Sequence, residues 1–132
     1  MEILLDTSIY LAVCLNEASK PRIVELTFGA TLVSPKSVHW EMGNALSGMI
    51  KKGRLSLLQA KACIAAYERI PVRFVDIELG ATLQLAYTHR IWAYDGYVLQ
   101  SALSLSLPLL TLDKPQSKIA EKVGVQLFER LA

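Results

Sequence analysis

The sequence predicts an α/β protein, a three-layer sandwich in which a parallel sheet of four to five strands has helices on both faces. Short apolar runs alternate along the chain with longer segments whose apolar residues recur at helical spacing. Strands separated by helices favour a parallel sheet, because each crossover helix packs on a face of the sheet. The chain of 132 residues has no internal repeat or low-complexity tract, so we expect one domain over residues 1–132.

Strands are expected where a short apolar run is bounded by polar or turn-forming residues. Four segments have this pattern, and a fifth near the end of the chain could extend the sheet. In chain order they are residues 2–5, 31–33, 72–75, 109–112 and, as the optional fifth strand, 125–128.

Helices are expected between these strands, at about residues 8–15, 20–28, 35–52, 57–69, 77–88, 95–105 and 114–122. Ser34 followed by Pro35 predicts the start of the longest helix, with Ser34 as its N-cap and Pro35 at its first helical position. Gly53 predicts the end of that helix. Pro71 predicts the end of the helix at residues 57–69, and Gly124 predicts the end of the last helix.

Composition limits the classes of protein to consider. The chain is 52% hydrophobic and 20% charged, which predicts apolar surface kept for another chain, although a tightly packed monomer would also fit. The net charge is only +2, so nucleic acid would have to be bound by local basic clusters. Cys14 and Cys63 form neither a CxxC pair nor a Cys/His cluster, which argues against zinc. No signal peptide or membrane-spanning run is apparent, so we expect a cytoplasmic protein.

Four acidic residues occupy positions where a purely structural role is hard to find. Asp6 and Asp113 each follow a predicted strand, at the sheet edge where open α/β sheets bind their ligands. Glu41 and Asp95 share the apolar faces of two predicted helices. Gathered carboxylates are costly unless a cation lies among them, so the pattern predicts a divalent-metal site for phosphate chemistry.

Each aspartate also has a simpler explanation. Asp6 and Asp113 could be N-caps of the helices that follow them, and Asp95 could complement a helix dipole. Glu41 is less easily explained, because it lies inside a helix and glutamate is almost never buried without a partner.

The surroundings of these acids resemble the motifs of PIN-domain nucleases, and most closely those of the small VapC-like toxins of toxin–antitoxin pairs. LLDTSIYLA resembles the opening strand with its aspartate, VHWEMGNAL the second motif, AYDGYVLQSAL the third, and LPLLTLDKP the closing strand. The resemblance covers essentially the whole chain, and each motif is specific only as part of the set. Gly96 departs from the pattern, which more often has alanine there, and Gln100-Ser101 replaces the more usual Leu-Ala.

This resemblance implies an endoribonuclease that uses Mg²⁺ or Mn²⁺, with a cognate antitoxin protein as its partner. The 52% apolar composition and the long helices around Trp40 and Leu57–Tyr67 predict a homodimer, with an antitoxin segment laid across another apolar groove. It implies Asp6 and Asp95 as direct metal ligands, with Glu41 and Asp113 completing the pocket. Side chains that would orient these carboxylates are Thr7, Ser8, Asn44 and Thr111. His39 lies near Glu41 in the sequence but is expected on another face of its helix, and His89 lies beside Arg90 in a loop, so we expect neither to be a catalytic base.

RNA contacts are expected from two basic clusters, which could equally be ordinary solvated charges at helix ends. They are Lys51, Lys52 and Arg54 at the end of the longest helix, and Lys114 with Lys118 beside Asp113. Trp40, Trp92, Tyr94 and Tyr97 could stack on unpaired bases or lie in the core or a dimer interface, and we favour the interface for Trp40.

Other classes fit the motifs less well. A phosphoacceptor receiver domain would have adjacent acids after its first strand, which LLDTS lacks. A haloacid-dehalogenase-type phosphatase needs a second aspartate two residues after the first, where this chain has Ser8. A PIN fold that only binds, and a nuclease that cleaves DNA by the same chemistry, remain open alternatives.

Overall fold

The computed structural model describes residues 1–131 and contains a parallel sheet whose strands lie in the order β3-β2-β1-β4. The strands are β1 (Glu2–Leu5), β2 (Thr31–Pro35), β3 (Arg73–Val75) and β4 (Leu109–Leu110). The helices are α1 (Thr7–Cys14), α2 (Lys20–Thr27), α3 (Ser37–Lys51), α4 (Leu57–Glu68), α5 (Leu79–His89), α6 (Ala93–Leu105) and α7 (Lys114–Val123). The predicted alternation of strands and helices, the parallel sheet and the α/β class are confirmed.

The side chains of β1 show why helices cover both faces of the sheet. Ile3 and Leu5 belong to one apolar cluster, which includes buried side chains of α1, α3 and α4. Leu4, between them, belongs to a second cluster, which includes buried side chains of α6 and α7. Successive residues of a strand point to opposite faces, so the two clusters are the two interfaces of a three-layer sandwich.

The strand order fixes the place where a ligand site can form. From β1 the chain proceeds outward to β2 and β3, then crosses back to add β4 on the other side of β1. Leu5 pairs with Leu110 in that register, so the residues that follow them meet at the carboxyl edge of the sheet. The crevice between strands on either side of such a reversal is the usual ligand site of an open α/β sheet.

One detail of the sequence prediction, the start of the longest helix, is wrong. Ser34 and Pro35 end β2 instead of starting the helix, and α3 begins at Ser37 without a side-chain cap. The hydroxyl of Ser34 is buried and donates to the carbonyl of Leu5 at 2.7 Å, so it serves the sheet and is not free to cap a helix. The optional fifth strand is reduced to one isolated bridge between Leu109 and Leu127.

No helix in the described part of the chain is long and apolar enough to cross a membrane.

Candidate functional site

The carboxyl edge of β1 and β4 opens into a cavity of about 180 Å³ that contains all four predicted acids. Its walls come from α1, α3, α6 and α7, so residues far apart in the sequence meet there. The lining side chains are Asp6, Thr7, Ser8, Leu11, Glu41, Ala45, Asp95, Val98, Asp113 and Gln116. We call this space the acidic cavity.

Asp6 is the most deeply placed of the acids, with 6% of its surface exposed. Its Oδ1 accepts hydrogen bonds from the backbone N–H of Ser8 at 3.1 Å and from the Ser8 hydroxyl at 2.5 Å. Its Oδ2 accepts a hydrogen bond from the hydroxyl of Thr111. Burial raises the pKa of Asp6 to about 7, the Ser8 and Thr111 hydrogen bonds oppose the rise, and the nearby carboxylates of Glu41 and Asp113 add to it.

Glu41 reaches the same cavity from α3, where it lies on the second turn between the buried residues Val38 and Met42. The Thr7 hydroxyl donates to its Oε1 at 2.5 Å, which links the start of α1 to α3. Burial raises the pKa of Glu41, the Thr7 hydrogen bond lowers it, and the charges of Asp95 and Asp113 raise it further.

Asp95 lies in the first turn of α6. Burial raises its pKa first, and the charge of Asp113 adds to the rise. The side-chain amide of Gln116 donates to the backbone carbonyl of Asp95 at 3.4 Å, which ties the start of α6 to α7.

Asp113 is the N-cap of α7, and its Oδ1 accepts the backbone N–H of Gln116 at 3.1 Å. Asp6 is likewise the N-cap of α1. Capping and membership of the acidic cavity are therefore not alternatives for these residues: the cap fixes the carboxylate at the cavity wall.

The acidic cavity has no basic side chain among the described residues that line it. Carboxylates crowded without a cation raise one another's pKa, as Glu41 and Asp95 show, and hard oxygen donors of this kind suit Mg²⁺ or Mn²⁺. Within residues 1–131, however, no three Asp, Glu, His or Cys side chains are grouped so that they could hold one ion as they stand. The donor chemistry fits a divalent ion, while ligation would require the side chains to draw closer together.

The remaining predicted residues divide into two groups. Thr7, Ser8 and Thr111 contact the carboxylates as described above. Asn44 is exposed and does not line the acidic cavity, which Ala45 lines one turn beyond Glu41.

The predicted basic residues lie outside the acidic cavity. Lys114 is exposed directly beside Asp113. Lys51 to Arg54 are also exposed, but at the far end of α3, about 15 Å along the helix axis from Glu41 at 1.5 Å per residue.

Gln116 lines the acidic cavity and was missed by the sequence analysis. It is 4% exposed and lies three residues after Asp113. An Asp-x-x-Gln spacing at the start of a helix resembles a capping box and could have drawn attention to it. Its side chain, however, bonds to Asp95 of another helix, which no local pattern predicts.

Neither histidine lines the acidic cavity. Nδ1 of His39 lies 2.9 Å from the hydroxyl of Tyr67, and its ring centroid lies 4.2 Å from that of Phe74. These contacts hold the His39 ring on a different face of α3 from Glu41.

No protein-family model matches this sequence, and no curated protein matches it significantly. Solved structures do match. The structure of PAE2754 from Pyrobaculum aerophilum has a TM-score of 0.69 at 20% identity, over 90% of this chain and 79% of that one. VapBC2 from Rickettsia felis, bound to a DNA fragment from its promoter, gives 0.66 at 17% identity, over 96% and 97%. VapC20 of Mycobacterium tuberculosis, a toxin that cleaves the sarcin-ricin loop, gives 0.65 at 15% identity, over 88% and 93%. Together with the strand order and the helices on both faces, these likenesses show that the chain has the fold of the VapC-like PIN domains that its motifs resemble.

Proposed function

We propose that this protein is a metal-dependent endoribonuclease that hydrolyses RNA phosphodiester bonds, and that it is the toxin of a type II toxin–antitoxin pair. One observation carries the proposal: four carboxylates meet, with no basic partner among the described lining residues, in one cavity at the strand-order reversal. The same fold occurs in VapC20, a toxin that cleaves the sarcin-ricin loop.

In this proposal Asp6 and Asp95 are direct ligands of Mg²⁺ or Mn²⁺, and Glu41 and Asp113 complete the pocket. A divalent ion bound there would supply a more acidic water and would stabilise negative charge on the phosphate. Asp6 must be ionised to act as a ligand, and the hydrogen bonds from Ser8 and Thr111 favour its ionised form. Thr7 restrains Glu41 in the same way, so these hydroxyls hold the carboxylates in place before substrate binds.

The RNA backbone would approach from the exposed side of the acidic cavity. Lys114 would meet a phosphate next to the one being cleaved, because it directly follows Asp113 and is exposed. Lys51, Lys52 and Arg54 would contact phosphates farther along the strand.

We assign the antitoxin to the groove between α3 and α4. This groove has a volume of about 320 Å³ and a mainly apolar lining that includes Leu46, Ile50, Leu57 and Ile64. An apolar groove between two helices commonly binds an amphipathic helix of a partner chain.

We assign the homodimer interface to α5, and no longer to the helices around Trp40 and Leu57–Tyr67 that the sequence suggested. Leu79, Leu83 and Tyr87 recur every four residues along one side of this helix and are 57%, 56% and 82% exposed. Such a stripe can pair with the same stripe of a second copy across a two-fold axis.

The test is cleavage of end-labelled RNA by the purified protein with Mg²⁺, with Mn²⁺ or with EDTA. Cleavage should require one of the ions and should be abolished by Asp95→Asn. The matched control is Asp76→Asn, because Asp76 is the aspartate outside the acidic cavity and is exposed in an ion pair with Lys36. Undiminished cleavage after rigorous chelation, or equal loss in both variants, would contradict the proposed mechanism. Cleavage of single-stranded DNA in preference to RNA would contradict the proposed substrate.

A further inference from the structure

A second cavity, of about 410 Å³, lies beside the acidic cavity and has a different character. It is lined by Ser37, Trp40, Ile77, Trp92, Ala93, Tyr94 and Tyr97, and we call it the aromatic cavity. Trp40 directly precedes Glu41 on α3, and Tyr94 directly precedes Asp95 on α6. On both α3 and α6, therefore, a residue that lines the aromatic cavity directly precedes an acid that lines the acidic cavity.

The indole rings in this cavity are open to solvent. Trp40 is 60% exposed and Trp92 is 84% exposed, which is unusual for side chains whose burial would be strongly favourable. Among residues 1–131, neither indole is paired with another aromatic ring, whereas Tyr94 and Tyr97 contact each other edge to face. The flat faces of Trp40 and Trp92 are thus available to a ligand, and Trp40 is not in the core.

Ser37 adds a polar group to this apolar wall. It is 1% exposed, and its hydroxyl has no hydrogen-bond partner among the described residues. Leaving a buried hydroxyl unpaired costs about 1–3 kcal/mol. The hydroxyl itself is not accessible from the cavity, so a ligand with a hydrogen-bonding edge would satisfy it only after the Ser37 side chain rotates toward the cavity that Ser37 lines.

Two helix N-termini also open on the aromatic cavity. Ser37 is the first residue of α3 and Ala93 the first of α6, and neither helix has a side-chain cap. The first backbone N–H groups of a helix have no intrahelical acceptor, and they favour a negatively charged ligand such as a phosphate.

We propose that the aromatic cavity holds an unpaired base of the RNA, next to the phosphodiester that lies in the acidic cavity. This inference rests on the proposed function and specifies its substrate as RNA with an unstacked nucleotide beside the cleaved bond. An exposed indole stacks on any base, Ser37 meets a base edge, and the helix N-termini meet the flanking phosphate. An apolar side chain from a second protein copy would cover the indoles but would leave Ser37 unpaired, so the nucleotide fits better.

The chain has two tryptophans, and both line this cavity, so intrinsic fluorescence reports on it directly. The probe is a short single-stranded RNA of mixed sequence, titrated in EDTA so that binding is measured without cleavage. Saturable quenching is expected with this strand and not with the same strand annealed to its complement, because paired bases cannot enter the cavity. Quenching by both forms alike would overturn the proposal.

Variants test the individual contacts by anisotropy of the labelled strand. Trp92→Ala should weaken binding by about tenfold or more, as loss of one base–aromatic stack does, while Trp92→Phe should retain most of the affinity. Ser37→Ala should weaken binding by a smaller factor without lowering stability, because it removes an unpaired buried hydroxyl. Phe28→Ala is the matched control, since Phe28 is 90% exposed and lies outside the cavity.

Unchanged RNA affinity in both Trp92→Ala and Ser37→Ala would overturn the inference. A shift in oligomeric state for Trp92→Ala at unchanged RNA affinity would instead identify the surface as a protein interface. These failures are separable from a failure of the proposed function. If RNA binds with quenching but is never cleaved, the proposed catalysis is wrong and the base site stands. If RNA is cleaved but its affinity is unchanged in Trp92→Ala, the base site is wrong and the proposed catalysis stands.

Discussion

The hydroxyl of Thr111 donates a hydrogen bond to Oδ2 of Asp6 across 105 residues of sequence. The contact follows from the pairing of β1 with β4, in which Leu5 lies opposite Leu110 and the next residues of both strands come together. The same hydroxyl accepts the backbone N–H of Asp113 at 3.0 Å. One threonine therefore sets the positions of two of the four acids.

Replacing Thr111 with valine keeps the shape of the side chain and removes these two hydrogen bonds, together with the 3.4 Å contact between the Thr111 and Ser8 hydroxyls. Losing a hydrogen bond to a buried charged group costs about 1–3 kcal/mol, so we expect Thr111→Val to lower the free energy of unfolding by that amount near neutral pH. The pKa of Asp6 should rise further, because its Thr111 hydrogen bond favours the ionised form.

Chemical denaturation of the wild type, Thr111→Val and Thr111→Ser measures this effect. Serine retains the hydroxyl and is expected to recover most of the stability. Equal stability of the valine variant and the wild type would show that the hydroxyl does not support the site.

Gly96 packs closely against Thr82 of α5. A Cβ built at Gly96 would lie 3.0 Å from Cγ2 of Thr82 and 3.5 Å from its carbonyl oxygen. Glycine therefore lets α6 approach α5 closely, which accounts for the departure from the alanine expected at this position. In an open helix Gly→Ala would stabilise by about 1 kcal/mol, and here the contact with Thr82 opposes that gain.

We expect Gly96→Ala to be destabilising in the wild type and stabilising in a Thr82→Ala background. Thr82→Ala creates the missing space, and it also removes a buried hydroxyl that has no partner among the described residues. A double-mutant cycle of unfolding free energies measures the coupling. Additive effects of the two changes would show that the Gly96–Thr82 contact does not limit helix packing.

The exposed apolar stripe of Leu79, Leu83 and Tyr87 on α5 predicts a dimer that a single introduced charge would dissociate. Leu83→Asp places a carboxylate at the centre of the stripe, so we expect light scattering to show a monomer where the wild type is a dimer. Leu58→Asp is the control, because Leu58 is 79% exposed on α4 and outside the stripe. A monomeric wild type would contradict the homodimer, and dissociation by Leu58→Asp alone would move the interface to α4.

The sequence predicted the sheet and the four acids because both depend on local patterns. An apolar run followed by an aspartate identifies the end of β1, and helical spacing places Glu41 and Asp95 on inward faces. Ser34-Pro35 led to a wrong start for α3, because the Ser34 hydroxyl donates a hydrogen bond to the carbonyl of Leu5 on the neighbouring strand. That contact joins residues 29 apart, so no local pattern predicts it. Gln116 was missed for the same reason, since its partner Asp95 lies on another helix.

Magnesium should stabilise the native protein through the acidic cavity. An ion that binds only the folded state raises the melting temperature, and the rise grows with the ion concentration relative to its dissociation constant. We expect Mg²⁺ to raise the melting temperature of the wild type and of Asp76→Asn, and to have much less effect on Asp95→Asn. Thermal denaturation with Mg²⁺ and with EDTA measures the shift, and an equal shift in all three proteins would place the ion elsewhere.

Asp6 makes the stability of the metal-free protein depend on pH, and the direction can be derived. Its pKa rises from 3.8 to about 7 on folding, so the folded state takes up a proton more readily than the unfolded chain. Above about pH 7 the buried charge is destabilising, and the free energy of unfolding should increase as pH falls from about 7 toward 3.8. The raised pKa values of Glu41 and Asp95 act in the same direction.

Asp6→Asn removes this charge and keeps the shape of the side chain. The variant should be as stable as the metal-free wild type or more stable above pH 7, by on the order of 1 kcal/mol, because the lost hydrogen bonds to a charged acceptor offset much of the relief from desolvation. The advantage should shrink as pH falls, since the wild type then becomes neutral at this position. Denaturant unfolding of both proteins across this pH range measures the difference. If Asp6→Asn instead destabilises the metal-free protein by several kcal/mol at every pH, the hydrogen bonds that the Asp6 carboxylate accepts from Ser8 and Thr111 outweigh the cost of its burial, and the charge serves the structure and not the site.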